Sequence, residues 1–256
     1  MILTMLLLAT SQNTSMTPSG KWTVDYRPDA CIASRPFNGE PPTIYLAFQP
    51  IISLDFHKMQ VTVLAPSTES GGVRTGNAKI VLQPSGAITT ASFNSRETKS
   101  KDTRAYEMVV DMESLAQLGQ STQLTVDTGK QSFSFATGKL QPMLDAVAKC
   151  SDDLMRGWGV DPAARAEPIG NPGEWFTDND YPPKAARRRV QGNAVIVLTI
   201  DPDGRVKGCR IAATTGDPDL DEGTCDLART HARFVRKGGG DRFSVLGVHW
   251  VLPNWR

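Results

Sequence analysis

The residues that could do chemistry come first. Asp217-x-Asp219-x-Asp221, followed by Glu222, spaces carboxylates as a calcium-binding loop does. The EF-hand pattern also needs a central Gly and a distal Glu, and neither is in place. Aspartates at a helix start accept from orphan backbone N–H groups and favour the helix dipole, so this run reads as helix capping. Lys237-Gly-Gly-Gly-Asp241 has the glycines of a phosphate loop. It lacks the Gly-Lys-Ser/Thr ending, and reads as a loop before a strand. Lys184 and Arg187-Arg188-Arg189 put four cations on one short helix. Nucleic acid or anionic lipid could use them, but no aromatic residues are interleaved, which favours a solvated face. His57 follows Asp55 by two residues, a weak pair that reads as a surface or strand histidine. No catalytic residue, metal site or cofactor is assigned.

The cysteines are Cys31, Cys150, Cys209 and Cys225. No C-x-x-C pair occurs, and the three histidines (His57, His231, His249) are scattered, so zinc-ligand spacing is absent. Four cysteines allow three pairings. The most economical for a two-domain chain joins Cys31 to Cys150 and Cys209 to Cys225. Each bridge would stabilise by roughly 3–5 kcal/mol through loop closure. Four buried thiols in a reducing compartment are the competing reading. A catalytic cysteine is disfavoured, because no histidine lies near one in sequence.

Around these residues stands a chain of 256 residues with net charge +1. That length fits one and a half to two domains, and the near-neutral balance argues against a whole-chain nucleic-acid binder. The charge divides unevenly: residues 181–256 carry 13 Lys/Arg against 8 Asp/Glu, and residues 1–180 carry 15 against 19. This argues for two units. No apolar run approaches the ~18–20 residues of a spanning helix. Residues 1–9 (MILTMLLLA) are apolar and small residues follow, so 1–15 reads as a signal or leader segment. The basic n-region is missing, which leaves an atypical signal or a start further upstream. The expected compartment is the periplasm, or the inner-membrane surface if an anchor lies upstream.

The pattern predicts an α+β protein. Residues 20–160 read as a β-rich, sandwich- or barrel-like domain ending in a helix. Alternating short strands are predicted at 22–26, 43–48, 58–64, 76–82, 87–93, 106–112, 123–127 and 132–136. A short helix is predicted at 113–118, a charged loop at 95–104 and an amphipathic helix at 140–158. Residues 161–173 (DPAARAEPIGNPG) read as a linker. Residues 174–256 follow in the order helix, strand, strand, helix, strand: two helices on a three-stranded antiparallel sheet. The turn Asp201-Pro-Asp-Gly204 joins the first two strands, with Pro setting φ and Gly supplying positive φ.

In this last part Tyr181-Pro182-Pro183, Gly192, Val195-Ile196-Val197, Asp201-Pro-Asp-Gly-Arg-Val206 and Gly216-Asp-Pro-Asp-Leu-Asp221 stand in order. With Ala232-Arg-Phe234 and a last strand ending in Pro253, they resemble the C-terminal domain of TonB energy transducers. The resemblance covers about 75 residues, under a third of the chain. It implies a protein-binding, non-enzymatic module that pairs an extended segment of an outer-membrane receptor to its sheet edge. In that family the guest lies beside the last strand, here Ser244, Val245, Leu246, Val248 and Trp250. The segment before Tyr-Pro also meets the receptor, here Thr177, Asp178, Asn179 and Asp180, with Tyr181 and Pro182. A cysteine on the second strand and one on the next helix are similar to the disulfide-bearing form of the domain, which supports Cys209–Cys225. The chain shows neither the anchor nor the long proline-rich spacer of transducers. A soluble periplasmic binding or scaffold module is therefore expected. The alternatives are a cell-envelope assembly factor and an enzyme with its site in the β-rich domain.

Overall fold

The computed structural model describes residues 15–38, 43–52, 58–69, 71–237 and 239–252. Residues 1–14 of the expected leader, the pair Asp55 and His57, Gly238 and Pro253 lie outside them.

The described chain is a mixed α/β structure. Strands β1 (Thr23–Tyr26), β2 (Cys31–Phe37), β3 (Ile44–Pro50), β4 (Lys58–Pro66), β5 (Arg74–Gln83), β6 (Ile88–Glu97), β7 (Thr103–Asp111), β8 (Gln123–Asp127) and β9 (Ser132–Phe135) come first. Helix α1 (Gln141–Gly157) and helix α2 (Pro183–Arg188) follow, then β10 (Gly192–Ile200), β11 (Val206–Ala213), α3 (Pro218–His231) and β12 (Arg242–Trp250). The first nine strands form one sheet, ordered β1-β2-β3-β4-β7-β6-β5-β8-β9, and the last three form another, ordered β11-β10-β12.

Three regions depart from the sequence pattern. β2 was not predicted, since Ser34, Arg35 and Pro36 interrupt its apolar alternation. β6 and β7 run into the expected charged loop, leaving only residues 98–102 between them. Two 3-10 turns, Glu113–Leu115 and Leu118–Gln120, replace the short helix.

The chain divides into two compact units, each discontinuous in sequence. Described residues within 15–23, 34–47 and 61–142 make the first; described residues within 24–33, 48–60 and 143–252 make the second. Within the first, β8–β5–β6–β7 pair antiparallel, with β9 beyond β8. Alternate residues on one face are buried, among them Ile80, Leu82, Met108, Leu124, Val126 and Phe135. This is the period-two burial that a sheet curled over its own core requires. Residues Met16 and Pro18 bridge to Phe135 and Phe37, and the two rings meet edge-on at 4.8 Å.

In the second unit the three-stranded sheet is buried on both faces. Ile196, Leu198, Leu246, Val248 and Trp250 pack under Leu220, Ala228 and Phe234. Val195, Val197 and Val245 point the other way, onto Ile52, Met155, Trp158 and Val160. β10 therefore reads as an almost continuous apolar run instead of alternating. Both disulfides lie in this unit. Cys31 of β2 joins Cys150 of α1, with Cα atoms 6.0 Å apart and a sequence separation of 119. Cys209 of β11 joins Cys225 of α3, at 5.6 Å and a separation of 16. The pairing expected from economy is the one formed.

The Asp201-Pro-Asp-Gly204 turn closes as predicted, with Gly204 at φ +77°. A Cβ there would lie 2.1 Å from the Phe234 carbonyl oxygen. Only glycine lets the turn sit against that backbone, where Phe234 N–H donates to Gly204 O at 3.0 Å.

Candidate partner-binding site

The edge of the three-stranded sheet at β12 is built from its neighbours upward. β12 pairs with β10 without a register break from Gly192↔Trp250 to Ile200↔Arg242. On its other side Phe243 N–H donates to Ala164 O at 2.9 Å, and Ala166 N–H donates to Phe243 O at 2.8 Å. Both backbone groups of a strand residue point the same way, and successive residues alternate. Phe243 faces outward, so Ser244, Leu246, Val248 and Trp250 bond inward to β10. Val245, Gly247 and His249 present their N–H and C=O groups outward. Among the described residues, no backbone group pairs with these three on that side.

The expected binding residues on β12 thus divide by role. The side chains of Ser244, Val245, Leu246, Val248 and Trp250 are all buried. None offers a side chain to a guest, and of the five only Val245 offers its outward backbone. Gly247 and His249 complete the row and were not singled out from the sequence. A Cβ on Gly247 would meet nothing within 4 Å, so the strand is open above it. His249 Nδ1 meets Asn193 Oδ1 across the sheet in a hydrogen bond between exposed side chains. Asn193 and Gly247 also line a groove of about 350 Å³ with Asp29, Gln49, Ile51 and Ile52.

Residues 164–169, expected as linker, carry strand-like pairing of their own. Besides the Phe243 bonds, Val235 N–H donates to Glu167 O and Ile169 N–H donates to Arg233 O, each at 2.8 Å. The first residues of the β12 edge are therefore occupied by the chain itself.

The segment before Tyr181 is fixed at the other end of β12. Asp178–Asp180 is a 3-10 turn. Asp180 Oδ2 accepts from Thr177 N–H at 2.8 Å and from Thr177 Oγ1 at 2.7 Å. Thr177, Asp178 and Asn179 are exposed, while Tyr181 is 3% exposed. The Tyr181 ring stands edge-on to Trp250 at 5.3 Å, and its hydroxyl donates to Val190 O. Phe176 meets Trp250 at 6.5 Å, and Trp250 Nε1 donates to the buried Thr224 Oγ1 at 2.8 Å. Trp250 is thus an anchor that ties the turn to the end of β12. Pro182 lies against α3 where Gly223 has no side chain; a Cβ there would approach Pro182 Cγ to 2.9 Å.

The carboxylates that resembled a calcium loop are committed to the fold. Asp217 Oδ1 accepts from Asp219 N–H at 3.0 Å and Leu220 N–H at 3.3 Å, the N-cap of α3. Arg188 Nη2 donates to both Asp217 oxygens, at 2.8 and 2.6 Å, and to Asp219 Oδ2 at 2.7 Å. Asp221 accepts from Thr214 and Thr215. Arg188 holds the Asp217 carboxyl below its ordinary value, and the N-cap bonds act in the same direction. Burial raises the Tyr181 phenol, and Asp217 adds to it. Among the described residues no group of three His, Cys, Asp or Glu could hold a metal ion. The basic run is also partly spent, since Arg188 is paired and Arg189 is the left-handed residue ending α2 at φ 55°.

Among the described residues no helix is long and apolar enough to cross a membrane. No curated protein and no solved structure matches the chain. Residues 177–249 match the family model of the Gram-negative bacterial TonB protein C-terminal, so the last third of this chain carries a TonB-type C-terminal domain.

Proposed function

We propose that this domain binds an extended segment of an envelope protein by strand addition to the outward row Val245–Gly247–His249. The supporting observation is the phase of β12, in which three successive outward residues have no backbone partner among the described residues. An unpaired edge of this kind is a template for a guest strand. The turn at Asp178–Asp180, anchored through Tyr181 and Trp250, flanks the end of that row, and its exposed Thr177, Asp178 and Asn179 supply polar contacts to the same guest. The natural occupant is a receptor segment of the outer membrane, as the family match at 177–249 supports. Two disulfides and the family support export to the periplasm. The role is binding, as in coupling the envelope to its receptors, and the chain is not an enzyme.

The test is titration of the intact, disulfide-bonded chain with strand-forming peptides from outer-membrane receptors. Saturable binding that fails when residue 247 is proline supports the reading. Absence of binding by every such peptide at about 1 mM, where even a weak −4 kcal/mol association would register, defeats it.

A further inference from the structure

A second site stands in the first unit. The inner face of its curled sheet ends in a cavity of about 250 Å³. Glycine, aromatic and charged residues from neighbouring strands share that face by register. Gly76 of β5 opposes Phe93 of β6, and Ser95 of β6 opposes both Arg74 of β5 and Tyr106 of β7. The turn residues Thr128, Lys130 and Gln131, between β8 and β9, close one wall. Open ends of curled sheets are a recurrent position for ligand cavities, and this volume suits a molecule of one ring.

Its aromatic lining is the half-buried Phe93 ring, with Tyr106 packed beside it and only 4% exposed. The Phe93 and Tyr106 rings lie 6.2 Å apart at 50°, and Phe133 supports Tyr106 from behind at 5.5 Å. Gly76 makes room for the Phe93 ring, since a Cβ there would lie 2.8 Å from Phe93 Cε1. Tyr106 donates to Gln131 Oε1 at 2.7 Å, which leaves the Gln131 amide NH₂ as a donor at the wall.

The cavity is electropositive. Arg74 and Lys130 line it, against the single carboxylate of Glu69, which pairs with Arg74 at 3.0 Å. Directly behind Ser95 lies Arg104, fully buried. Its guanidinium donates to Ser95 O and Oγ and to the carbonyls of Glu69, Gly71 and Gly72. Its Nε has no partner, and no carboxylate pairs with it among the described residues. Carbonyls solvate this charge without neutralising it, so its field is felt through the cavity wall.

We propose that this cavity binds a small single-ring carboxylate, which lays its ring on Phe93 and turns its carboxylate to Arg74, Lys130 and the Gln131 amide. Aromatic and sugar rings both stack on such a ring, so an aromatic acid and a sugar acid share the required chemistry. The site is independent of the β12 edge.

The experiment is NMR titration of the full disulfide-bonded chain with 4-hydroxybenzoate and with glucuronate, each beside its uncharged counterpart, 4-hydroxybenzamide or glucose. Saturable shifts of the Tyr106, Lys130 and Gln131 amides are expected with one acid, and which one identifies the ring class. The uncharged counterpart should bind about tenfold more weakly, as expected for loss of a charge-assisted hydrogen bond. Lys130 is exposed, so Lys130→Glu should fold normally and weaken the acid at least about tenfold. Glu69→Gln should tighten it by freeing Arg74 and removing the like charge. The proposal is overturned if neither acid shifts these amides saturably by about 20 mM, well past a millimolar Kd. It is equally overturned if the neutral counterpart binds as well, or if Lys130→Glu leaves affinity unchanged in a variant with a native spectrum.

Discussion

Phe243 spends both of its outward backbone groups on the chain itself, donating to Ala164 and accepting from Ala166. That one relationship sets the phase of β12. Every second residue after it faces outward, so the free row is Val245, Gly247 and His249, and its start is bounded by residues 164–166. A guest strand has a short, defined register available, with no freedom to slide toward Arg242.

Proline at position 247 should separate binding from folding. Its missing N–H lies on the outward side, where an edge strand tolerates it. Gly247→Pro is expected to lower peptide affinity at least about tenfold, one lost backbone pairing plus its distortion. The melting temperature should change little. Leu246→Ala is the converse control: it empties a core position and should cost about 2–5 kcal/mol in denaturant unfolding while leaving the outward row in place.

The disulfides should resist as a pair. Denatured, unreduced protein is expected to show no free thiol on labelling. Replacing Cys209 and Cys225 together by serine should cost about 3 kcal/mol, the chain-entropy value for a loop of this size. Denaturant unfolding followed by tryptophan fluorescence measures it.

Gly204→Ala should destabilise far more than a usual surface change. The Cβ would meet the Phe234 carbonyl, and alanine pays for positive φ as well. A loss of about 2–3 kcal/mol is expected. Asp203→Ala, one residue away, should cost under about 0.5 kcal/mol as an ordinary exposed position.

Acid stability should report Asp217. Its native value is depressed, chiefly by Arg188, so the unfolded state takes up the proton first as pH falls. The stabilisation is fully present above the ordinary aspartate value of 3.8 and is lost as pH drops through the lower native value. Between pH 7 and 5 this pair should contribute no slope. Arg188→Ala should move the acid-unfolding midpoint upward, measured by circular dichroism.

Much of the last third was legible because local signals agree there. Alternation in β12, the Asp-Pro-Asp-Gly turn and Asp217 ahead of Pro218 each mark a boundary that the fold respects. β2 was hidden because Arg35 and Pro36 serve the fold through long-range contacts: Arg35 donates to Gly20 O and Thr137 O, and Gly20 sits under Pro36. The binding row was only half legible. Which side chains face the core follows from hydropathy, but which backbone groups face outward depends on hydrogen-bond phase. That phase is set by Ala164 and Ala166, in a segment that reads as linker. The cavity at Phe93 and Tyr106 was invisible for a similar reason, since it needs the register of three strands and the placement of Arg104.

Hydrogen exchange along β12 tests the central claim most directly. In the free, disulfide-bonded protein the amides of Leu246, Val248 and Trp250 should exchange slowly, and those of Val245, Gly247 and His249 fast. A saturating strand-forming receptor peptide should protect the fast set and leave the slow set as it was. Protection of Val245, Gly247 and His249 before any peptide is added, or no change at saturation, would contradict the account.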